Sequence, residues 1–374
     1  MTRHVLGKGP HRDLELDGIR GLAVAMVLAW HFIGIPAWST EGWLPHIVFR
    51  IFLFGGAGVD LFFVLSGFLI TRILITRKAS DGRFLFAFYI RRALRILPPY
   101  LLLLGIFWGV LSAGVENHVF NGDIPLWRFL TFTQNYWMAQ NATYGPDGIS
   151  VTWSVAIEEQ YYLVFPLLAL MLPRRQLPIF LIATAIASIV WRAYIYKTDP
   201  GNNFPPDLGT LARLDGLAVG GIIAYAFDTA RWQQYLRDHE AGLRRAMIYC
   251  ICLLPLVNRA SGSVMAYIGH TLLTLCFGLV IINLMLNLGS TAIWVRFLRS
   301  KKLIFLGGIS YSLYLFHPII LATAFLLTGY SKTLSGWPQA LILTGSLAVS
   351  ILFSTITFKL FESRLIGLGR KLTY

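Results

Sequence analysis

Four ionisable side chains lie inside long apolar stretches of this sequence, where burial away from water is costly. They are His31, Asp60, Glu158 and His317. A neutral imidazole can accept a proton near pH 7, and a carboxylate can orient an imidazole through its other ring nitrogen. Ionisable groups in such surroundings are candidates for function by default. These residue types therefore predict a buried general-base site.

Each candidate also has a purely structural explanation. His317 could only bridge two helices through a hydrogen bond, and Asp60 could pair with an arginine and hold two helices together. Glu158 and Glu159 are adjacent, so helix geometry points at most one of them at a given partner. We favour Glu158 for that position.

Three further polar residues lie near the ends of apolar stretches. Arg213 and Asp215 are either structural or in contact with a substrate, and the sequence leaves both explanations open. His270 has no evident partner in the sequence, and we expect it to be structural.

The composition excludes most classes of soluble protein. Of the 374 residues, 56% are hydrophobic and only 13% are charged, whereas about 25% are charged in a typical soluble domain. Disordered chains, collagen-like repeats and disulfide scaffolds are excluded as well. The three cysteines lie in apolar runs, and their pattern lacks the further ligands of a zinc site, so we expect no metal.

Apolar segments of the length that crosses a bilayer, about 20 residues, recur along the whole chain. They predict an all-α polytopic integral membrane protein with about ten transmembrane helices and a single membrane-embedded domain over 1–374. The predicted spans are 18–36, 48–71, 94–114, 151–172, 177–196, 210–228, 246–258, 265–288, 303–328 and 339–360.

The distribution of basic residues supports ten spans with both termini in the cytoplasm. With that topology, 24 of the 32 Lys and Arg residues lie in cytoplasmic segments and four in outer segments, as the positive-inside rule requires. Removal of one span would move every later loop to the opposite side of the membrane and destroy this pattern. The basic residues that produce the net charge of +14 then lie mainly at the cytoplasmic face, next to anionic lipid. We therefore expect no nucleic-acid partner.

The four buried ionisable groups fall at a similar depth. Arg20 lies near the cytoplasmic edge of span one, and His31 follows eleven residues later, about 16 Å deeper and on the same helix face. Counting along the other spans places Asp60, Glu158 and His317 near the midplane too. Their convergence supports the general-base hypothesis.

The segment LDGIRGLAVAMVLAWHF at 16–32 resembles the opening of the membrane-bound acyltransferase family 3, in which an arginine is followed by ten residues and a histidine. Here these residues are Arg20 and His31. Five further segments resemble family motifs in the same order, and the C-terminal FKLFES at 358–363 is close to the family's ending, although Arg364 follows where a proline is usual. The five are GGAGVDLFFVLSGFLIT (55–71), FYIRRALRILPPY (88–100), TWSVAIEEQYYLVFP (152–166), RLDGLAVGGIIA (213–224) and ISYSLYLFHPII (309–320).

The resemblance implies an O-acyltransferase of the bacterial cytoplasmic (inner) membrane. Family members take an acyl group, usually acetyl, from cytoplasmic acyl-CoA and pass it to a hydroxyl of a sugar or related acceptor, often in lipopolysaccharide, exopolysaccharide or a secondary metabolite. Some members carry a fused SGNH domain. Since the sequence stops at Tyr374, we expect the stand-alone type.

Roles for individual residues follow from that resemblance. His31 is the expected base for the acceptor hydroxyl, with Glu158 bonded to its other ring nitrogen. An acyl-imidazole intermediate on His31 is the alternative. Arg20 is expected to have a catalytic or donor-binding role and could hold a phosphate or the pantetheine arm. The other donor-binding candidates are the basic residues at the cytoplasmic face, Arg72, Arg91, Arg92 and Arg95.

The acceptor is expected to enter from outside, past the aromatic loop 115–150, because aromatic faces stack on sugar rings. The substrate-binding candidates are Asp60, His317, Trp127, Tyr136 and Trp137. Entry of both substrates from the cytoplasm is the alternative.

Two other classes of function stay open. Ten spans with midplane His and Glu residues could form a proton-coupled transporter or flippase of glycan precursors, although the sequence has no inverted repeat. A non-enzymatic scaffold would leave the buried ionisable groups without a purpose.

Overall fold

The computed structural model describes residues 13–76, 82–257 and 262–371 of the chain. These residues form helices joined by short connections, and no strand occurs among them. A helix satisfies its backbone hydrogen bonds internally, which apolar segments in lipid require. The predicted all-α membrane architecture is therefore confirmed.

Ten long helices follow the ten predicted spans in order. They are α1 (Leu14–Ala29), α2 (Gly58–Thr76), α3 (Gly82–Ser112), α4 (Thr152–Met171), α5 (Leu177–Thr198), α6 (Thr210–Asp228), α7 (Glu240–Val257), α8 (His270–Leu286), α9 (Lys301–Thr328) and α10 (Trp337–Thr357).

Shorter helical segments connect or extend the long helices. Three are π turns at Trp30–Gly34, Met265–Gly269 and Phe358–Glu362, and one is a 3₁₀ turn at Leu53–Ala57. The others are α-helical: Ile35–Trp38, Trp43–Phe52, Leu126–Leu130, Gln134–Gln140, Phe204–Leu208, Ala230–Asp238, Gly262–Val264, Ile293–Leu298 and Ser363–Lys371.

Within the described ranges, eight helical stretches are long and apolar enough to cross a membrane. Helices α4 and α7 are not among the eight. The two adjacent glutamates of α4 lower its hydropathy, and α7 begins with a glutamate and two arginines in its first two turns. The ten-span topology with both termini inside stays a prediction.

Glycines set the distance between the helices that carry the predicted site residues. A Cβ on Gly21 of α1 would lie 2.0 Å from the Leu303 carbonyl oxygen of α9, and one on Gly307 would lie 1.9 Å from the Asp17 carbonyl oxygen. Helices α1 and α9 therefore touch through their backbones, a contact that only small residues permit in a membrane bundle. This contact brings the His31 and His317 segments together.

Candidate active site

Two adjacent cavities lie within the helix bundle. The arginine compartment is lined by Arg20, Arg92, Arg95, Glu158 and Glu159, among others, and has a volume of about 100 Å³. The histidine compartment has a volume of about 580 Å³, within the range of roughly 300–1,000 Å³ usual for ligand pockets. It is lined by His31, Asp60, Tyr144, Asp147, Asp207, Arg213, His270 and Lys332, among others. Both cavities share Val59 and Tyr314 as lining residues, so these two side chains separate them.

His31 lies in the π turn that extends α1, half-buried, and lines the histidine compartment. Its Nδ1 lies 2.9 Å from the carbonyl oxygen of Val27. A carbonyl oxygen only accepts, so Nδ1 carries the proton and Nε2 holds the lone pair. That is the tautomer a general base needs at Nε2.

His317 lies beside His31 rather than at the surface of the compartment. The two rings meet edge to face with their centroids 4.7 Å apart, and the His317 side chain is fully buried. Its Nδ1 lies 3.0 Å from the Leu313 carbonyl oxygen, and its Nε2 has no hydrogen-bond partner within the described part of the chain. The predicted direct contact of His317 with an acceptor is not supported by this geometry.

Glu158 lies in the arginine compartment, apart from His31. The Tyr162 hydroxyl donates to Glu158 Oε2 at 3.0 Å, and Ser66 hydrogen-bonds that same hydroxyl. The predicted hydrogen bond between Glu158 and His31 is therefore wrong, because the Val27 carbonyl occupies the ring nitrogen that Glu158 was expected to bind.

Three of the five predicted donor-binding arginines converge in the arginine compartment. Arg20 Nη1 lies 2.6 Å from Asp17 Oδ1, and the Arg92 guanidinium lies 5.2 Å from the centre of the Tyr162 ring. The positive charges of Arg20, Arg92 and Arg95 are close enough to repel one another. Such a cluster suits a polyanionic ligand, since guanidinium groups bind phosphate through two parallel hydrogen bonds.

The other two predicted donor-binding arginines point elsewhere. Arg72 Nη1 lies 2.6 Å from Asp13 Oδ2, and Arg91 Nε donates to the Gly369 carbonyl oxygen at 3.0 Å. Neither lines the arginine compartment. Adjacent residues on a helix differ in direction by about 100°, which explains why Arg92 faces the cavity and Arg91 does not.

A hydrogen-bonded chain of charged residues, here called the charged wall, lines one side of the histidine compartment. Arg213 Nη2 donates to Asp60 Oδ1 at 2.7 Å, and Arg213 Nη1 donates to His270 Nδ1. His270 Nε2 then donates to Asp207 Oδ1 at 2.8 Å. Asp60 thus pairs with an arginine and lines the compartment at once, and His270 has partners that the sequence did not reveal.

Asp207 belongs to the charged wall but was not among the residues predicted from the sequence. Its helix, Phe204–Leu208, is a short connection between two spans, and no motif marks it.

Among the described residues, no group of three His, Cys, Asp or Glu side chains is arranged to hold a metal ion.

The aromatic residues predicted to bind the acceptor lie outside both compartments. Trp127 stacks with Arg128, whose guanidinium lies 4.7 Å from the ring centre. The Tyr136 hydroxyl donates to Gln160 Oε1 at 3.2 Å, and Trp137 packs against the hydrophobic core. From the same loop, 115–150, Tyr144 lines the histidine compartment instead.

The chain matches the family described as "Acyltransferase domain" over residues 13–359. A peptidoglycan O-acetyltransferase of Listeria monocytogenes is 29% identical over 330 residues, which cover 83% of this chain and 49% of that protein. A Staphylococcus aureus protein provisionally named an O-acetyltransferase is 25% identical over 367 residues, 93% of this chain and 56% of that protein. No solved structure matches the chain.

The chain spans about half the length of the curated relatives it matches. The family match covers all ten long helices and all the sequence motifs from Leu16 to Ile320. The family resemblance of those motifs is thus confirmed. The described part of the chain contains eight apolar helices, and this multi-pass integral membrane protein belongs to the acyltransferase domain family.

Proposed function

We propose that this protein is an O-acetyltransferase of the bacterial cytoplasmic membrane that moves an acetyl group from cytoplasmic acetyl-CoA to a hydroxyl of an envelope glycan. One observation carries the proposal. An arginine-lined cavity and a histidine-lined cavity meet at Val59 and Tyr314 inside the bundle. The first cavity suits a phosphate-bearing donor, and the second suits a hydroxyl acceptor.

The donor binds at the arginine compartment. Arg20, Arg92 and Arg95 repel one another in the free protein, and the phosphates of coenzyme A relieve that repulsion. The compartment itself, at about 100 Å³, is too small for the whole coenzyme. The nucleotide therefore stays at the cytoplasmic mouth, and the pantetheine arm extends inward towards Tyr314.

The thioester has to pass the partition between the two cavities. The Tyr314 hydroxyl hydrogen-bonds Ser154 Oγ at 2.6 Å and donates to the Val151 carbonyl oxygen at 3.2 Å. Its ring also contacts Phe62 edge to face, with centroids 6.1 Å apart. A rotation of this side chain, with the loss of those hydrogen bonds, opens the route to His31.

His31 performs the proton transfer. Its Nε2 takes the proton of the acceptor hydroxyl while that oxygen attacks the thioester carbonyl carbon. The tetrahedral intermediate then collapses, the carbon–sulfur bond breaks, and the imidazolium returns the proton to the leaving thiolate. Products are the acetyl ester and free coenzyme A, and the imidazole is regenerated.

A glycan acceptor is supported by the size and polarity of the histidine compartment. Its volume of about 580 Å³ suits one or two sugar rings, and the carboxylates of the charged wall, Asp60 and Asp207, can accept hydrogen bonds from sugar hydroxyls. The Listeria relative is named a peptidoglycan O-acetyltransferase, and peptidoglycan is an acceptor of this class.

Proteoliposomes test the proposal. Radiolabelled acetyl-CoA is supplied to the face of the arginine compartment, and a hexosamine oligosaccharide is sealed on the other side. We expect acetylation of the sealed sugar with release of one free thiol per acetyl group transferred. Acetylation of sugar added beside the donor, with none inside, would exclude the two-sided route. Sugar movement across the membrane without thiol release would identify a transporter instead.

A further inference from the structure

Lys332 places a cation in the histidine compartment, close to the candidate base. The residue lies in the connection between α9 and α10 and lines the compartment. Its charge acts on the imidazoles of both His31 and His317. None of the sequence motifs contains it.

The connection that carries Lys332 is held in place at both ends. Helix α9 ends at Gly329 in the left-handed conformation, with φ of 69°, which glycine adopts without steric cost. The Leu334 backbone N–H then donates to Thr40 Oγ1 at 2.6 Å, beyond the outer end of the first span. Lys332 is thereby fixed over the compartment that His31 lines.

Lys332 differs from the other cation in the compartment. Arg213 is compensated by Asp60 at 2.7 Å, whereas within the described part of the chain Lys332 has no ion pair and no side-chain hydrogen bond. The carboxylate that attracts it is Asp147, which lines the same compartment but forms no ion pair with Lys332. Burial lowers the pKa of Lys332, and the attraction of Asp147 opposes that shift.

A half-buried ammonium without a partner is costly, and a bound anion removes that cost. Coenzyme A phosphates do not fill this position, since the guanidinium cluster lies in the other compartment. Of the two substrates, the acceptor is then the one that can supply this anion.

We propose that Lys332 forms an anion-binding subsite for the acceptor, which therefore carries an acidic group, a carboxylate or a phosphate, near the hydroxyl that is acetylated. The ammonium binds the acidic group, and the charged wall binds hydroxyls on the opposite side of the sugar. This orientation presents one hydroxyl to His31 Nε2. The inference rests on the proposed function and specifies its substrate class.

Direct binding to the full-length protein in detergent tests this subsite. The probes are the disaccharide of two N-acetylglucosamine units, its 1-phosphate, and the disaccharide in which one unit is N-acetylmuramic acid and so carries a carboxylate. We expect the wild-type protein to bind one or both acidic sugars more tightly than the neutral one. The two acidic probes show whether a carboxylate or a phosphate is preferred.

The Lys332→Gln variant should lose that preference. Its affinity for the preferred acidic sugar should fall on the order of thirtyfold, as expected when one partner of a desolvated charge pair is removed. Affinity for the neutral sugar should stay the same, and Lys332→Arg should retain part of the preference. Lys302→Gln is the matched control, because Lys302 is exposed at the opposite end of α9.

Equal binding of the three sugars by the wild type, or an unchanged preference in Lys332→Gln, would overturn the subsite. If acetyl transfer is active, an equal fall in kcat for neutral and acidic acceptors would also overturn it, since Lys332 would then act on the reaction itself. These binding results do not depend on turnover. Failure of the acetyltransferase proposal would appear separately, as absence of thiol release in the proteoliposome assay.

Discussion

His31 is the residue whose loss should stop the proposed reaction with the least effect on the fold. Its side chain is half-buried and lines a cavity, and the hydrogen bond of Nδ1 to Val27 lies within its own helix. We expect His31→Ala to reduce acetyl transfer by about 10²–10⁴-fold, the usual contribution of a general base. Thiol release and ester formation measure the loss, and membrane insertion should stay normal.

The matched control is His239→Ala, which removes an exposed histidine outside both compartments. The His239 ring stacks on Tyr235 of the short helix Ala230–Asp238. This variant should keep wild-type activity. Retention of most activity in His31→Ala would contradict the general-base role, and an acyl-imidazole trapped on His31 would show that the residue acts as the nucleophile.

A second prediction concerns Arg91 and Arg92, two adjacent residues whose side chains point in different directions. Arg92→Gln should raise the KM for acetyl-CoA about tenfold, since Arg92 lines the arginine compartment and a charge-assisted phosphate contact is lost. The effect should shrink at high salt, which screens the remaining attraction. Arg91→Gln should leave KM near the wild-type value, because Arg91 bonds the Gly369 carbonyl. The opposite order would place the donor elsewhere.

Sequence reasoning predicted a common depth for the site residues but could not predict the direction in which their side chains point. Counting at about 1.5 Å per residue placed Glu158 at the depth of His31, yet the two lie in different compartments. The direction in which a side chain points depends on how each helix is rotated in the bundle, and no motif encodes that rotation. Lys332 and Asp207 were missed for a related reason, since they lie in connections between helices.

At the scale of the element, the first span departs from a regular helix where it carries His31. Residues Trp30–Gly34 form a π turn between two α-helical segments. A π turn widens the helix and is frequent at functional sites. The expectation that Arg20 and His31 share one face assumed a regular α-helix, and the π turn changes the direction of residues beyond it. It also leaves His31 within reach of the Val27 carbonyl.

Close packing of α1 on α9 leads to a prediction about stability. Gly21→Ala should destabilise the protein by about 1–3 kcal/mol, as overpacking usually does, because the added Cβ would lie 2.0 Å from the Leu303 carbonyl oxygen. The control is Gly345→Ala in α10, where a Cβ meets nothing within 4 Å. Thermal unfolding in detergent measures both, and equal unfolding temperatures would show that α1 and α9 are not in backbone contact.

At the scale of the whole molecule, the sequence was sufficient for the architecture but not for the cavities. Long apolar segments can satisfy their backbone in lipid only as helices, so composition and length predict the bundle. Each cavity, by contrast, is lined by residues from helices distant in the chain, such as Arg20 of α1 and Glu158 of α4. That assembly depends on helix order and packing, which a single sequence does not display.

The segment before α7 has the aromatic residues of a membrane interface, and its basic residues favour the cytoplasmic side. The short helix Ala230–Asp238 exposes Trp232 and Tyr235, and aromatic rings of this kind are enriched at the membrane interface. Arg231 and Arg237 lie on the same short helix, and basic residues favour the cytoplasmic side. Helix α7 follows directly, with 18 residues and a length of about 27 Å, close to the thickness of the hydrocarbon core.

The last prediction decides whether α4 crosses the membrane, although it is not among the eight apolar helices of the described residues. If all ten long helices cross, reporters fused after Arg175 and Arg237 should read cytoplasmic, and reporters after Asn141 and Gly201 should read outer. If α4 lies on the surface instead, the Asn141 and Arg175 reporters should agree. That result would contradict the ten-span topology on which the proposed route from a cytoplasmic donor to an outer acceptor depends.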